Sequence, residues 1–471
     1  MSVHLRSNSR TMTKLAMTAS VALSALLAAT GAHAQSTTVQ DAMMAAYSNN
    51  PTLQAARATL RATDENVPAA LSGWRPQVSL NGTSGPAWGA LSSGNQPISE
   101  KRYITTGTAT VTQPIYSGGR TVASTNKAVN LVLSQRASLL AQEEQTLSDT
   151  VTAYVNVIAA QDTLDLDRNN EEVLTRQLQA TNDRFRVGEI TRTDVAQAEA
   201  ALAGAVATRQ AAEGALQSAR AAYQKTVGEL PGKLVAPQPL SLPSKTLEEA
   251  KALAGNNNPN VVKALFANAS DKDNIDLQYA ALMPQLSVQA TASTSKNATV
   301  RDYNISGSQV MASLTVPLYQ GGSEYASIRQ ARQQEQSSRA SIDDARSVAV
   351  EQAISAWETY QATKSAIASN REQIRANEVA LEGVQREAIV GSRTTLDVLN
   401  AEQALLTSRT QLVQNLATLV SNSYTVAAAV GRLTARDLNL PVPYYNEKSY
   451  YEAVRNLWIG SGDYAPKYPG K

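Results

Sequence analysis

The strongest constraint on how this chain folds is that it carries one pattern twice. Thr112-Gln113-Pro114-Ile115-Tyr116-Ser117-Gly118-Gly119 returns as Thr315-Val316-Pro317-Leu318-Tyr319-Gln320-Gly321-Gly322, an offset of 203. Val187-Gly188-Glu189-Ile190-Thr191-Arg192-Thr193-Asp194-Val195 returns at the same offset as Val390-Gly391-Ser392-Arg393-Thr394-Thr395-Leu396-Asp397-Val398. Tyr154/Trp357, Leu202/Leu405 and Gly228/Gly431 also keep it. Alignment without a gap from Pro114 to Gly228 requires rigid elements of fixed length between the landmarks. Upstream the offset becomes 208, Asn50-Pro51 matching Asn258-Pro259 and Pro76-Gln77 matching Pro284-Gln285. The extra residues of the first copy therefore fall between Pro76 and Pro114, where a loop tolerates insertion.

Each copy reads as helix, two strands, a long helix and a shorter one. Asn before Pro at 50–51 and 258–259 supplies an N-cap and a first-turn proline, predicting helices over 52–73 and 260–282. After Pro284, Leu286, Val288, Ala290 and Ala292 alternate with Ser287, Gln289, Thr291 and Ser293, the period of a two-sided strand. Strands are expected at 76–89, 103–116, 284–296 and 303–317, with the Gly-, Ser- and Pro-rich segment 86–102 as an external loop. Alternating segments of about ten residues suit an outer-membrane barrel, and a small soluble sheet is the other reading. Trp88, Tyr103, Tyr303 and Tyr319 are candidates for its aromatic girdles.

Residues 120–187 contain neither Gly nor Pro, and residues 323–390 contain only Gly383. At 1.5 Å per residue such a run is a helix of roughly 100 Å, which needs a neighbour along its length. The return helices are expected at 191–228 and 394–431. In the second of these, Val398, Leu405, Leu412, Leu419 and Val426 repeat at seven, and so do Leu399, Leu406, Val413, Val420 and Ala427 beside them. Two adjacent apolar heptad positions predict two neighbours, as in a closed wall of helices. The helices 52–73 and 191–228, end to end, nearly match one long partner.

Composition enters as a set of exclusions. The chain of 471 residues has no Cys, and its two histidines are His4 and His33. Both lie in a leader-like stretch: Arg6, Arg10 and Lys14 without an acid, an apolar run near 15–29, then Ala32-His33-Ala34 before Gln35. This is the pattern of a secretory signal peptide (1–34) cleaved between Ala34 and Gln35. The mature chain then lacks the residues of a Ser-His-Asp triad, a cysteine nucleophile or the usual zinc, haem and iron–sulfur sites. No cofactor and no enzyme activity are expected, although a carboxylate pair or Ser-Lys dyad stays conceivable. A near-neutral balance implies no nucleic acid partner.

Four strands do not close a barrel, and eight would be filled by their own side chains. Twelve strands from three chains leave a lumen, so the fold class is a membrane α+β protein with long coiled-coil helices, shared among copies.

The paired motifs resemble the TolC family of outer-membrane efflux and secretion channels. They are Pro-x-Tyr-x-Gly-Gly after a strand in both halves, Val-Gly-x-x-Thr-x-x-Asp in the first and Val-Gly-x-Arg-Thr-x-x-Asp-Val-Leu in the second. The resemblance covers the mature chain, including Asp463-Tyr464-Ala465-Pro466 near its end. It implies a homotrimer with a 12-stranded β-barrel in outer-membrane lipid, continuous with a 12-helix α-barrel across the periplasm of a Gram-negative bacterium. It further implies a periplasmic adaptor at the helical tips, and an RND, ABC or MFS pump in the inner membrane that supplies the energy for a passive channel. The organisation becomes a first repeat at 35–231, a linker with a short equatorial helix at 232–258, a second repeat at 259–434, and an equatorial segment with tail at 435–471.

The tips are Val187, Gly188 and Glu189 in the first copy and Val390, Gly391 and Ser392 in the second. Gly there suits helix termination, and Thr191 with Asp194 and Thr394 with Asp397 have capping-box spacing. Local chemistry explains the acids as helix starts. The resemblance instead implies a ring of Asp397 at a periplasmic gate, with Arg393 and Asp194 in the polar links that close it. Where the family pattern has a tyrosine there is Ala388, and where it has a second aspartate there is Asn400, so weaker closure and weaker cation selection are expected. Pro114, Gly118 and Gly119, with Pro317, Gly321 and Gly322, are expected at bends from strand to helix. The competing reading is a secreted helical filament protein, which explains the heptads but neither the leader nor the duplicated strands.

Overall fold

In the computed structural model, which describes residues 37–93 and 96–464, ten α-helices accompany one four-stranded antiparallel sheet among the described residues. The expected leader and its Ala34–Gln35 cleavage site lie outside them. The elements run α1 (Val39–Asn49), α2 (Pro51–Asp64), α3 (Asn66–Leu71), β1 (Gln77–Ser93), β2 (Gln96–Tyr116), α4 (Arg120–Arg186) and α5 (Arg192–Val227). The second copy gives α6 (Leu247–Asn257), α7 (Pro259–Tyr279), β3 (Gln285–Lys296), β4 (Asn304–Thr315), α8 (Ser323–Ile389) and α9 (Thr395–Ala429), followed by α10 (Ser449–Val454). Helices α4 and α8 are each 67 residues long and begin and end 203 positions apart.

Four details depart from the pattern reading. Helix 52–73 is two helices, interrupted at Glu65, because Pro68 has no N–H to offer the Asp64 carbonyl. Its counterpart α7 lacks that proline and is continuous. The segment 86–102 is largely strand, since β1 pairs with β2 in unbroken register from Gln77↔Thr112 to Ser93↔Gln96. Strand β4 ends at Thr315 rather than 317. The short helix of the supposed linker, α6, has its own twin in α1, 208 residues earlier, each started by a threonine and an acid three residues on, Thr38/Asp41 and Thr246/Glu249. The duplication thus extends further upstream than Asn50.

The described residues divide into two compact units, one comprising those up to Ala45, Thr150–Gln238 and Glu372–Ala417, the other Ala46–Asp149, Pro239–Arg371 and those from Thr418 onward. The first is a packing of helices. Leu174 of α4, Ala205 of α5 and Leu399 of α9 form one buried cluster, so a residue of the second apolar heptad row does meet other helices. Buried alanines at seven-residue spacing, Ala198, Ala205 and Ala212, let α5 approach closely. Arg209 of α5 reaches Glu171 of α4 at 2.5 Å and Glu213 at 2.8 Å; half-exposed pairs of this kind contribute about 0–1 kcal/mol each. Tyr154, fully buried, donates its hydroxyl toward the carbonyls of Thr37 and Val235, both at 2.7 Å, and accepts from the Val235 N–H at 3.0 Å.

In the second unit the same position of the repeat, Trp357, is used for apolar packing against Ala250, Val426 and Val430. Two consecutive acids of α4 hold the loop after α9: Glu143 accepts from the Ala435 N–H at 2.8 Å and Glu144 from the Leu433 N–H at 3.3 Å. Arg57 lies between the rings of Tyr47 and Tyr445, 4.5 and 5.2 Å away. Burial pushes the Glu144 carboxyl up to about 8, while its hydrogen bond from Leu433 opposes the shift and the neighbouring Glu143 adds to it. A carboxyl protonated more readily folded than unfolded loses stability as pH rises from its ordinary value through the raised one. Conformational stability should therefore fall between about pH 4.5 and 8. Glu144→Gln, which keeps the acceptor for Leu433, should flatten that part of the dependence in a comparison of denaturant midpoints across the window; equal slopes for the two proteins would contradict it.

Candidate functional site: an amphipathic sheet and two helix-turn tips

The strands lie in the order β1-β2-β3-β4, and among the described residues the first and last have no partner on their outer sides. Residues directly opposite in antiparallel strands share a face, so the register sorts the side chains. Val78 faces Val111, Leu80 faces Ala109, Val111 faces Ala290, Ala290 faces Val310, and Leu286 faces Leu314. These form an apolar band across all four strands, and it is uncovered: Leu80 is 82% and Val310 73% exposed. The other face carries Ser79–Thr110, Asn81–Thr108, Thr110–Thr291 and Ser287–Ser313, with the Thr83 and Thr106 hydroxyls 2.6 Å apart. Trp88 and Tyr103, both exposed, lie at the far end of the apolar face, with Lys101 5.7 Å from the Trp88 ring. Among the described residues no helix is long and apolar enough to cross a membrane.

The strand-to-helix bends fall where the paired motifs sit. Pro114 lies at a register shift in β2, and Gly118, Gly119, Gly321 and Gly322 all have positive φ, from +65° to +87°. Gly118 is also sterically required, since a Cβ there would lie 2.5 Å from Met283 Cβ and 2.9 Å from the Ala280 carbonyl. Pro317 follows the end of β4, and the next residues, Leu318 and Tyr319, are exposed.

At the first tip α4 ends at Arg186, and Gly188 takes φ +80°. The Gly188 N–H donates to Phe185 O at 2.9 Å and the Glu189 N–H to Arg184 O at 3.0 Å, the two bonds of a Schellman stop. The second tip repeats this with Gly391, whose N–H donates to Ala388 O at 3.3 Å, and Ser392, whose N–H donates to Glu387 O at 3.0 Å. Each turn has an ion pair of opposite polarity. Arg184 grips Glu189 through Nε at 2.9 Å, whereas Glu387, the Arg184 counterpart, accepts from Arg393 at 2.9 Å. The pattern reading missed these clamps, whose signal is a charge pair five or six residues apart across a Gly. Val187 and Val390 project from the turns, 77% and 78% exposed.

Both expected acids cap their helices. Asp194 accepts from the Thr191 N–H at 2.9 Å and hydroxyl at 2.7 Å, and its own N–H donates to Thr191 Oγ1. Asp397 does the same with Thr394 at 3.0 and 2.9 Å. These bonds stabilise the carboxylate forms: the Thr191 hydroxyl first, then its N–H, hold Asp194 below its ordinary value, and the Thr394 N–H and hydroxyl do so for Asp397, helped by Arg393. Arg393 and Asp194 thus make their hydrogen bonds within their own turns, and Asn400 is exposed on α9. Ala388 is buried.

A family description, Outer membrane efflux protein, matches residues 42–229 and 252–432, which fall on the two repeats. The chain belongs to this family. It is similar to the outer membrane efflux protein BepC of Brucella suis biovar 1, 34% identical over 436 residues, covering 92% of this chain and 93% of BepC. It is also similar to TolC of Vibrio cholerae, 25% identical over 402 residues, covering 83% and 90%. Its fold resembles the crystal structure of the Campylobacter jejuni CmeC outer membrane channel, with a TM-score of 0.74 at 14% identity over 83% of this chain and 85% of that one. The resemblance to the TolC family is thereby a membership, and the protein resides in the outer membrane.

The caps carry a direct test. Thr191→Ala or Thr394→Ala should each cost about 1 kcal/mol locally, the usual value of an N-cap. Amide exchange at the first turns of α5 and α9 should accelerate about five-fold accordingly, with exchange in mid-helix unchanged.

Proposed function

We propose that three copies of the chain close their sheets into a 12-stranded barrel and their long helices into a 12-helix wall. The assembly is a channel-tunnel that gives passive exit across the periplasm and outer membrane. The observation that carries this reading is the sheet: one face an exposed apolar band, the other hydroxyls and amides, and two strands with unsatisfied edges. An open edge and an uncovered apolar face are both unfavourable in water. Closure by copies of the chain removes the edges, and lipid covers the band. The polar face then lines water.

The exposed tips at Val187–Glu189 and Val390–Ser392 receive a periplasmic adaptor, through which an RND, ABC or MFS pump delivers small toxic compounds or a secreted polypeptide. Efflux is the cargo class favoured by the similarity to BepC. Three Asp397 side chains meet near the three-fold axis, where mutual repulsion raises their apparent pKa values against the lowering by Thr394. Ala388 offers only its backbone to the tip and Asn400 adds no charge, so one acidic ring acts in place of two and the gate closes less firmly.

Detergent extracts of outer membranes should contain a heat-resistant trimer, and a monomer in the culture medium would overturn the assembly. Cysteine at Val187 or Val390, carrying a cross-linker, should capture the adaptor. In planar bilayers Asp397→Ala should abolish block by multivalent cations added from the periplasmic side; unchanged block would remove Asp397 from the gate.

A further inference from the structure

The segment that begins with α10 has no role in the channel just described, yet it is firmly moored. The Tyr450 hydroxyl donates to Glu65 at 2.7 Å. Tyr451 packs against the cluster of Val67, Ala128 and Val132, and Val454 is fully buried. Beyond it the Arg75 guanidinium donates to the Leu457 carbonyl at 2.7 Å and lies 5.1 Å from the ring centroid of Trp458. Having been fastened this way, the chain presents Trp458 at 65% and Ile459 at 89% exposure. A moored segment that ends in two bare apolar side chains calls for a covering partner.

The location indicates which partner. Arg75 stands two residues before β1, and the carbonyl of Trp74 beside it accepts from the Gln113 side chain at 2.9 Å. Gln113 is opposite Val288 and two residues from Val111, so it belongs to the apolar face of the sheet. Trp74, itself exposed, and Trp458, which lies over Arg75, therefore stand beside the end of the sheet at which Gln113 closes the apolar face. Indole rings with an apolar body and a polar N–H accumulate at the boundary of headgroup and acyl chain. Arg75, whose guanidinium lies 5.1 Å from the ring, is the cation at this place that a headgroup phosphate would meet.

We infer that Leu457–Ile459 is a membrane-interface anchor, with Trp458 and Ile459 seated in the periplasmic leaflet of the bilayer that surrounds the barrel. This rests on the reading that the apolar band faces lipid. A single-tryptophan protein, with Trp74, Trp88 and Trp357 replaced by Phe, is reconstituted into vesicles of phosphatidylcholine brominated near the carbonyl end of the acyl chain. A parallel protein has no tryptophan except Leu80→Trp, on the band itself. Where the triple replacement impairs folding, the difference between wild type and Trp458→Phe gives the same signal.

Trp458 should lose most of its emission in brominated vesicles, emit at shorter wavelength than indole in water, and resist iodide. Quenching at Leu80→Trp without quenching at Trp458 overturns the anchor and leaves the band intact. Iodide resistance at Trp458 without lipid quenching means that protein covers it, which also overturns the anchor. Absence of quenching at both positions removes the outward-facing band and the anchor together.

Discussion

Everything in this chain follows from a sheet that cannot be satisfied by the chain that makes it. Among the described residues, four strands in consecutive order leave the outer edges of β1 and β4 without hydrogen-bond partners, and the apolar side of the sheet is exposed. In a soluble domain such a surface would be buried by helices. Here the helices are committed to one another, as where Leu174 of α4 packs with Ala205 of α5 and Leu399 of α9. Closure of the edges by further copies and coverage of the band by lipid, as proposed above, would satisfy both demands.

Duplication supplies the means and is then modified copy by copy. The two long helices agree in length to the residue, and both tips use the same glycine stop and threonine–aspartate cap. Elsewhere the copies diverge. The position of Tyr154, a hydroxyl that ties three backbone groups, is Trp357 in the second copy, a purely apolar contact. The clamp at the tips reverses its charges, Arg184 with Glu189 against Glu387 with Arg393. Pro68 breaks a helix that runs through in the second copy. A wall assembled from such halves has only approximate symmetry, so chemistry at one tip need not be repeated at the other.

The tip acids show how a residue can be explained twice. Asp194 and Asp397 are fully employed as caps, and the hydrogen bonds that do this lower their pKa values. Any ring of Asp397 carboxylates is therefore built from groups already fixed in place and already ionised. Preorganised charge of this kind is a better cation site than flexible carboxylates, because no ordering entropy is lost on binding.

The sequence by itself determined the repeat, the lengths of the long helices, the places where they stop and the alternation of the strands. All are local or periodic properties: absence of Gly and Pro over 68 residues, φ-permissive glycines at the turns, and side-chain spacings of two and seven. It left several matters open. Spacing identified neither α1 as the twin of α6 nor the continuation of the first hairpin through 86–102. The Gly-, Ser- and Pro-rich composition reads as a loop, and only cross-strand pairing makes it strand. The tertiary structure alone decided which strand neighbours which, so that separate alternations of Val78, Val111, Ala290 and Val310 became one continuous band. It also decided that Arg393 pairs with Glu387 and that Trp458 lies over Arg75, two residues before β1. These depend on residues far apart in the chain or on the fold of a turn, and no local periodicity encodes a distance between segments that meet only after the backbone has been placed.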